Sequence, residues 1–139
     1  MEPEQSMGSI KKEHTFSKKE KLKGKKAFEA LFSEGKTLKV YPLQLRYLPM
    51  DFGDESKVKV AVVAPKRKFK KAFQRNRVKR LLREAFRANK SLVFNNIEGN
   101  FALLFLYIGH TMPTFSEVEA AVRELLQNFV KLELHEKNS

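Results

Sequence analysis

The sequence lacks cysteine entirely, which excludes disulfide bonds and cysteine-ligated zinc. It also lacks any apolar run approaching the roughly 20 residues that a membrane-spanning helix needs. Its first residues do not contain the apolar stretch of a secretory signal peptide. What remains is a chain of 139 residues, 42% of them hydrophobic, which is enough to fold around one core. These features predict a cytoplasmic protein with one domain at residues 15–134, a flexible tail at 1–14 and a C-terminal tail at 135–139.

Clustered carboxylates, which a free-standing nuclease needs to hold magnesium, are also lacking. The loop that contains Asp51, Asp54 and Glu55 brings three acidic residues close together. Their spacing matches no ordered calcium loop, so a solvated turn is favoured over a cation site. The three histidines are scattered, with no cysteine or spaced carboxylate near any of them. The sequence therefore predicts no catalytic residue, no metal site and no cofactor bound by the protein alone.

Acidic residues are almost absent from residues 66–90, which hold twelve basic residues and a single acid, Glu84. Within this stretch, residues 74–89 repeat apolar side chains at the i, i+3, i+4, i+7 spacing of a helix with one buried face. That face consists of Val78, Leu81, Leu82, Ala85 and Phe86. At about 100° per residue, the opposite face consists of Asn76, Lys79, Arg80, Arg83 and Arg87, with Arg75 and Arg77 at its borders.

The like charges on this opposite face repel one another unless a polyanion neutralises them. The alternative is an ordinary solvated face on which Lys and Arg serve only as good helix formers. Such faces usually mix signs, because Glu–Lys pairs one turn apart stabilise a helix. The near-absence of acids therefore favours a nucleic-acid-binding surface. The loop before the helix extends this surface through Lys66, Arg67, Lys68, Lys70 and Lys71.

The other segments predict an α+β domain with one sheet, in the order helix, two strands, basic helix, strand, helix. The first helix lies between two glycines, Gly24 and Gly35. Residues 40–48 and 57–64 predict two strands joined by a hairpin, the second strand being central, and residues 101–108 predict a strand buried on both faces. A capping box of Ser116 and Glu119 begins the last helix, whose acidic segment indicates packing and not a second RNA surface.

Two aromatic side chains of the first helix, Phe28 and Phe32, lie one turn apart on the same face. Two interpretations stay open for them at this point. They pack in the core, or they stack on unpaired bases, as aromatic residues of basic proteins do.

The run RNRVKRLLREAFR at residues 75–87 resembles the RNR motif of the bacterial ribonuclease P protein subunit. That motif reads R-N-R-x-K-R-x-x-R, followed after one residue by Ala or Ser and then by Phe or Tyr. The resemblance extends from Phe16 to about Phe129 and includes the Lys-Leu-Lys at 21–23. The loop at residues 65–72 departs from the Ser-Lys-Lys-x-Gly-Asn-Ala of many members and is bulkier and more basic.

The resemblance implies a single-domain α-β sandwich, ribosomal protein S5 domain 2-like, with helices packed on one central sheet. It also implies a left-handed βαβ crossover at the basic helix. The implied function is that of the RNA-binding subunit of ribonuclease P, which helps the catalytic RNA to remove the 5′ leader from precursor tRNA. The implied partners are the ribonuclease P catalytic RNA and precursor tRNA, and Mg²⁺ is expected at the active site of the RNA subunit.

By the same resemblance, the motif residues contact the catalytic RNA, and the cleft between the first helix and the sheet holds the single-stranded leader. The implied motif contacts are Arg75, Asn76, Arg77, Lys79, Arg80 and Arg83. The implied leader-binding residues are Phe16, Lys21, Phe28, Phe32 and Arg46. Because Arg46 stands where an aromatic residue is expected, charge replaces stacking at that position.

Two other functions are compatible with a basic helix on a small domain. One is a basic assembly protein of another ribonucleoprotein, such as the ribosome. The other is a duplex-DNA binder with the helix in the major groove, which predicts base-edge contacts and often dimer symmetry. Neither of these DNA-binding features is visible in the sequence. The sequence also indicates no membrane association and no obligate protein partner.

Overall fold

The structure is a computed structural model that describes residues 20–54 and 56–138. The helices are α1 (Lys25–Glu34), α2 (Ala72–Phe94) and α3 (Phe115–Asn138), and the strands are β1 (Lys36–Val40), β2 (Leu43–Pro49), β3 (Val58–Val63) and β4 (Phe101–Tyr107). The predicted tail at 1–14 and Phe16 lie outside the described residues. Helix α3 continues through Asn138, so most of the predicted C-terminal tail is helical. Within the described ranges, no helix is long and apolar enough to cross a membrane.

The four strands form one mixed sheet in the order β1-β2-β4-β3. The pairs β1–β2 and β2–β4 are antiparallel, whereas β3 and β4 are parallel and joined through α2. This arrangement confirms an α+β domain with one sheet, and the handedness of the crossover stays a prediction. Two expectations were wrong: β2 and β3 are not a hairpin, because β4 lies between them, and β3 is an edge strand. The central position goes to β4 because its side chains are apolar on both faces, and almost all of them are buried.

Strand β1 is an element that the sequence did not predict. It pairs with β2 across a turn at Tyr41 and Pro42, with Val40 opposite Leu43. The peptide bond between Tyr41 and Pro42 is cis. Because proline has no N–H to donate to a ladder, the predicted strand at 40–48 divides at Pro42 into the end of β1 and the whole of β2.

The exposed edge of β3 is partly covered by the segment that precedes α1. Lys21 bridges to Val60 in parallel fashion, and the Leu22 N–H donates to the Val60 carbonyl at 2.9 Å. One residue earlier, the Glu20 carboxylate accepts a hydrogen bond from Lys90 Nζ on α2 at 3.0 Å. These contacts protect an edge that would otherwise offer unpaired backbone groups to another chain.

Helices α2 and α3 pack on one face of the sheet and enclose the larger hydrophobic core. The predicted inner face of α2 is confirmed, since Val78, Leu82, Ala85 and Phe86 are buried and Leu81 is partly buried. Phe129 of α3 makes edge-to-face contacts with the rings of Tyr47 and Phe101, at centroid distances of 4.7 and 5.1 Å. The acidic last helix is therefore a packing element, as its sequence indicates.

Helix α1 packs on the opposite face of the sheet through Leu31, which is fully buried. It lies in a smaller cluster with Leu22, Ala61, Ala102 and Leu104. The glycine boundaries predicted for this helix are confirmed. Any side chain at Gly35 would collide with the backbone carbonyl of Leu31, so the close turn from α1 into β1 requires glycine.

The start of α3 corrects the predicted capping box. The Glu117 carboxylate accepts a hydrogen bond from the Thr114 N–H at 2.9 Å, and the Glu117 N–H donates to the Thr114 hydroxyl at 3.2 Å. The reciprocal pair is therefore Thr114 and Glu117, two residues earlier than predicted. Glu119 instead accepts hydrogen bonds from Arg123 at 2.7 and 2.8 Å.

Candidate RNA interface

The outer face of α2 presents the predicted row of polar and basic side chains. Asn76, Arg77 and Arg80 are exposed, and Lys79, Arg83 and Arg87 are partly exposed. Within the described ranges, none of these side chains forms a hydrogen bond or an ion pair, and neither does Glu84. Glu84, the single acid of the stretch, therefore does not neutralise the row of cations. The repulsion between these cations favours an anionic partner.

Arg75 differs from its neighbours in the motif, because its guanidinium is engaged within the protein. Its Nη1 donates to the carbonyls of Phe69 and Lys70, both at 2.9 Å. These two carbonyls belong to the loop between β3 and α2, which we call the basic loop (residues 65–71). Arg75 therefore fixes the basic loop against the first turn of α2.

Lys68 fixes the other side of the basic loop. Its Nζ donates to the carbonyl of Ile108 at 3.0 Å and lies 3.4 Å from Nδ1 of His110. Between the two anchors, Phe69 is buried, and its ring centroid lies 5.6 Å from that of Tyr107. The loop thus holds a defined shape, while four of its predicted RNA-binding side chains remain exposed: Lys66, Arg67, Lys70 and Lys71.

Helix α1 leaves part of its face of the sheet uncovered. One cross-strand row in register runs through Lys39, Gln44, Leu106 and Val63. Lys39 is exposed and the other three are only partly buried, whereas Leu104 in the next row is fully buried. We call this row together with α1 the cleft. Because Val63 ends β3, the cleft opens beside the basic loop.

Phe32 and Arg46 form a pair at the wall of the cleft. The guanidinium carbon of Arg46 lies 5.2 Å from the centroid of the Phe32 ring, and its Nη1 donates to the Phe32 carbonyl at 3.4 Å. Phe32 is 51% exposed, so a purely core role does not describe it. Phe28 is partly buried against the smaller cluster. The two open interpretations therefore divide between the two residues.

The Arg46 side chain also carries an unsatisfied polar atom. Its Nε is buried and has no hydrogen-bond partner within the described residues. Lys21, another predicted leader-binding residue, is exposed on the segment beside β3. Phe16 lies outside the described residues. The structure thus brings Phe28, Phe32 and Arg46 together.

The acidic loop after β2 is organised by its own hydrogen bonds. Asp51 Oδ1 accepts from the Gly53 N–H at 3.0 Å, and Asp54 Oδ1 accepts from the Ser56 N–H at 2.8 Å. The backbone hydrogen bond from Ser56, followed by that from Lys59, lowers the pKa of Asp54 from 3.8 to about 2. Among the described residues, no three His, Cys, Asp or Glu side chains come close enough to hold a metal ion.

A second concave region lies at the turn between β1 and β2, on the side of α3. It has a volume of about 340 Å³, and its lining includes Tyr41, Tyr107, Glu117 and Glu124. Burial is the main cause that raises the pKa of the Tyr107 hydroxyl, and the neighbouring Tyr41 and Glu117 add to it. The acidic character of this region separates it from the basic surfaces.

Several residues at these surfaces were not singled out from the sequence as binding residues. Lys39 belongs to the strand that was missed, and His110 meets Lys68 only through the pairing of β3 with β4. Gln44 could have been found, because the alternation in β2 already places it on the face of Arg46. Leu106 and Val63 are apolar strand residues whose partial exposure follows only from the short length of α1.

Comparisons with known proteins extend over most of the chain. The family model described as Ribonuclease P matches residues 16–130. The ribonuclease P protein component of Porphyromonas gingivalis is 35% identical over 116 residues, covering 79% of this chain and 82% of the relative. That of Thermotoga maritima is 32% identical over 120 residues, covering 84% of this chain and 94% of the relative.

Solved structures agree with these sequence relatives. The structure of the Thermotoga maritima RNase P protein superposes with a TM-score of 0.64 at 26% identity, covering 78% of this chain and 96% of that one. The Staphylococcus aureus RNase P protein gives a TM-score of 0.64 at 15% identity, covering 82% and 97%. The latter identity is low, so this likeness concerns the fold alone.

Proposed function

Because the chain belongs to the bacterial ribonuclease P protein family, and so is a subunit of that ribonucleoprotein endoribonuclease, we propose that it uses two separate surfaces. The outer face of α2 and the basic loop bind the ribonuclease P RNA. The cleft beside α1 binds the single-stranded 5′ leader of precursor tRNA. The observation that carries the proposal is the row of cations on α2 without any acidic partner in the described ranges.

The α2 face suits the catalytic RNA because it is long, rigid and made almost entirely of donors. Helix α2 is anchored through a largely buried inner face, so its outer side chains are presented on a fixed frame. Contacts of Lys and Arg with phosphates release counterions and supply most of the affinity without reading sequence. Such a surface positions the protein on a folded RNA.

The cleft suits a single strand because it combines a half-exposed aromatic ring with cations along an open strip of sheet. Base–aromatic stacking tolerates any sequence, which is what binding of varied leaders requires. Arg46 supplies a planar guanidinium next to the Phe32 ring, with its carbon 5.2 Å from the ring centroid. Lys39 adds exposed positive charge at one border of the cleft.

Within the described ranges, no cluster of carboxylates is present that could hold Mg²⁺ for the hydrolysis itself. Phosphodiester cleavage supported by Mg²⁺ belongs in this proposal to the RNA subunit. The contribution of the protein is to hold the leader and to stabilise the active form of the RNA. Purified protein without RNA should therefore leave precursor tRNA uncut, whereas adding it to a bacterial ribonuclease P RNA should permit cleavage at low magnesium. Specific cleavage by RNA-free protein would overturn this division of roles.

The first prediction tests the α2 face. Replacing Lys79, Arg80 and Arg83 together by alanine leaves the buried face of the helix unchanged. Affinity for the catalytic RNA should fall at moderate salt, and the slope of log affinity against log salt should shrink by roughly two to three units, at about 0.7–0.9 per phosphate. Lys131→Ala, which removes an exposed cation from α3, is the control and should change neither quantity. An unchanged slope in a folded triple variant would refute the assignment.

The second prediction tests the cleft. Phe32→Leu keeps most of the apolar volume but removes the aromatic face, which is worth about 1–3 kcal/mol per stacked base. The variant holoenzyme should bind precursor tRNA about tenfold more weakly and mature tRNA as before, because mature tRNA has no leader. This difference should vanish as the leader is shortened to one or two nucleotides.

The control for this experiment is Phe115→Leu, which changes another exposed phenylalanine at the start of α3, on the opposite face of the sheet. It should affect neither tRNA. If Phe32→Leu weakened precursor and mature tRNA equally, Phe32 would have a structural role only.

A further inference from the structure

The loops that follow β3 and β4 meet at the carboxyl ends of these two parallel strands and enclose a cavity. It has a volume of about 450 Å³ and is lined by Arg67, Lys68 and His110. Two of the lining side chains are permanent cations at neutral pH, and the third is an imidazole. Within the described ranges no carboxylate lines the cavity, so the chemistry of these three side chains suits an anion the size of a phosphate.

The contact between Lys68 and His110 favours one tautomer of the imidazole. Lys68 Nζ lies 3.4 Å from Nδ1, and because an ammonium group has three donors and no acceptor, Nδ1 is the acceptor in a hydrogen bond between them. The neutral ring then carries its proton on Nε2, at the edge directed away from Lys68. His110 is exposed, so this N–H is available to a ligand.

The cavity is built on rigid supports. The N–H groups of Lys68 and Phe69 both donate to the Pro65 carbonyl, at 3.1 and 3.2 Å, and form a tight turn. Lys68 also holds the Ile108 carbonyl at 3.0 Å, and Arg75 holds the far end of the loop. An anion would therefore meet donors that are already in place, which lowers the ordering cost of binding.

We propose that Arg67, Lys68 and His110 form a binding site for one phosphate of an RNA backbone, in which His110 donates a hydrogen bond through Nε2. The site lies where the cleft meets the basic loop, so the phosphodiester comes either from the catalytic RNA or from the leader. This inference rests on the proposed function only for the source of the phosphate. The site itself should bind inorganic phosphate in the absence of RNA.

The first experiment therefore uses inorganic phosphate and the full-length protein. Two-dimensional nitrogen–proton spectra of the imidazole rings should show His110 as the Nε2–H tautomer, with its signal assigned through His110→Gln. Phosphate should shift this signal saturably, chloride at equal ionic strength should not, and Arg67→Ala should weaken the effect. An Nδ1–H tautomer, or no response to phosphate, would overturn the proposal.

The second experiment measures RNA binding by His110→Ala and Arg67→Ala. A hydrogen bond to a charged group is worth about 1.5–3 kcal/mol, so His110→Ala should weaken binding about tenfold or more. Because the neutral imidazole releases no counterion, its loss should leave the salt slope unchanged, whereas Arg67→Ala should reduce the slope by about 0.7–0.9. His110→Gln, which keeps a donor, should recover part of the affinity.

The two arms of this experiment identify the source of the phosphate. A loss seen with the catalytic RNA alone assigns the phosphate to that RNA. A loss confined to precursor tRNA, with mature tRNA unaffected, assigns it to the leader. A loss in neither arm, while the α2 triple variant still loses affinity, would overturn this site and leave the proposed function standing.

Discussion

The ion pair between Lys90 and Glu20 offers the sharpest test of how the segment before α1 is held against the rest of the domain. Its atoms are 3.0 Å apart, and the two side chains are only 10% and 13% exposed. Glu20 is next to Lys21, whose neighbour Leu22 donates its N–H to Val60 on β3. Lys90 therefore holds the segment that carries Lys21, although it lies outside the RNR motif, three residues after its end.

Lys90→Met retains the apolar stem and removes the ammonium group, which leaves the Glu20 carboxylate in a largely buried site. Removing one partner of a buried pair typically costs 3–5 kcal/mol, because the remaining charge loses the partner that offset its desolvation. The residual exposure of both side chains places the expected loss near the lower limit, at about 3 kcal/mol. For a chain of this length, that corresponds to a decrease of about 10 °C in Tm.

A double-mutant cycle measures the coupling between the two residues. It compares thermal and urea unfolding of the parent, Lys90→Met, Glu20→Met and the double variant. The double variant should recover most of the loss, because two apolar side chains of similar volume replace a buried pair at little cost. Hydrogen exchange at the Leu22 amide should accelerate in Lys90→Met. The segment that carries Leu22 is then held less firmly against β3, whose Val60 carbonyl accepts the hydrogen bond from this amide. Arg123→Ala, which breaks the exposed pair with Glu119, should cost less than about 1 kcal/mol. Purely additive losses, or a Lys90→Met variant as stable as the parent, would refute the reasoning.

Two further predictions concern local stability. Thr114→Ala should destabilise the protein by about 1 kcal/mol in urea unfolding, whereas Ser116→Ala should stay within about 0.5 kcal/mol; the reverse order would restore the capping box expected from the sequence. Because the pKa of Asp54 is lowered from 3.8 to about 2, its ionised form stabilises the loop above about pH 4, and this contribution disappears as the pH falls through about 2. The stability difference between Asp54→Asn and the parent should therefore be constant above pH 4 and shrink below it; a difference that stayed constant down to pH 2 would contradict the assigned cause.

The elements that the sequence predicted well are those whose signals are local. Helix α1 is bounded by two glycines, and the steric limit at Gly35 confirms why the second one stops the helix there. The two faces of α2 follow directly from a period of 3.6 residues. Strand β4 is recognisable because a short continuous apolar run between turns has no solvent-facing side.

The errors arise where two segments that are distant in sequence decide the outcome. Strand β1 has the sequence KTLKV, which carries only a weak apolar pattern, and its strand conformation comes from pairing with β2. The expected hairpin between β2 and β3 assumed that neighbours in sequence are neighbours in the sheet. A run as apolar as β4 requires a central position, and this requirement inserts it between them.

The capping box failed for a different reason, because the pattern itself occurs twice. Thr114 with Glu117 and Ser116 with Glu119 both satisfy a hydroxyl residue followed three positions later by a glutamate. The structure uses Glu119 elsewhere, in hydrogen bonds with Arg123 and with Asn89 of α2. A tertiary contact therefore selects between two equivalent local signals.

The same distinction applies to the cations of residues 66–90, which the sequence presents as one uniform run. Lys68, Arg75 and Lys90 donate to main-chain carbonyls or to a buried carboxylate and so support the frame. The exposed row on α2 has no such partners within the described ranges. Alanine substitution of Arg75 or Lys90 should change stability and the shape of the loops, and that of Lys68 should change both stability and phosphate binding. Substitution in the exposed row should change the salt dependence of RNA binding at constant stability. A scan that treats all twelve cations as RNA contacts would therefore assign to binding what belongs to folding.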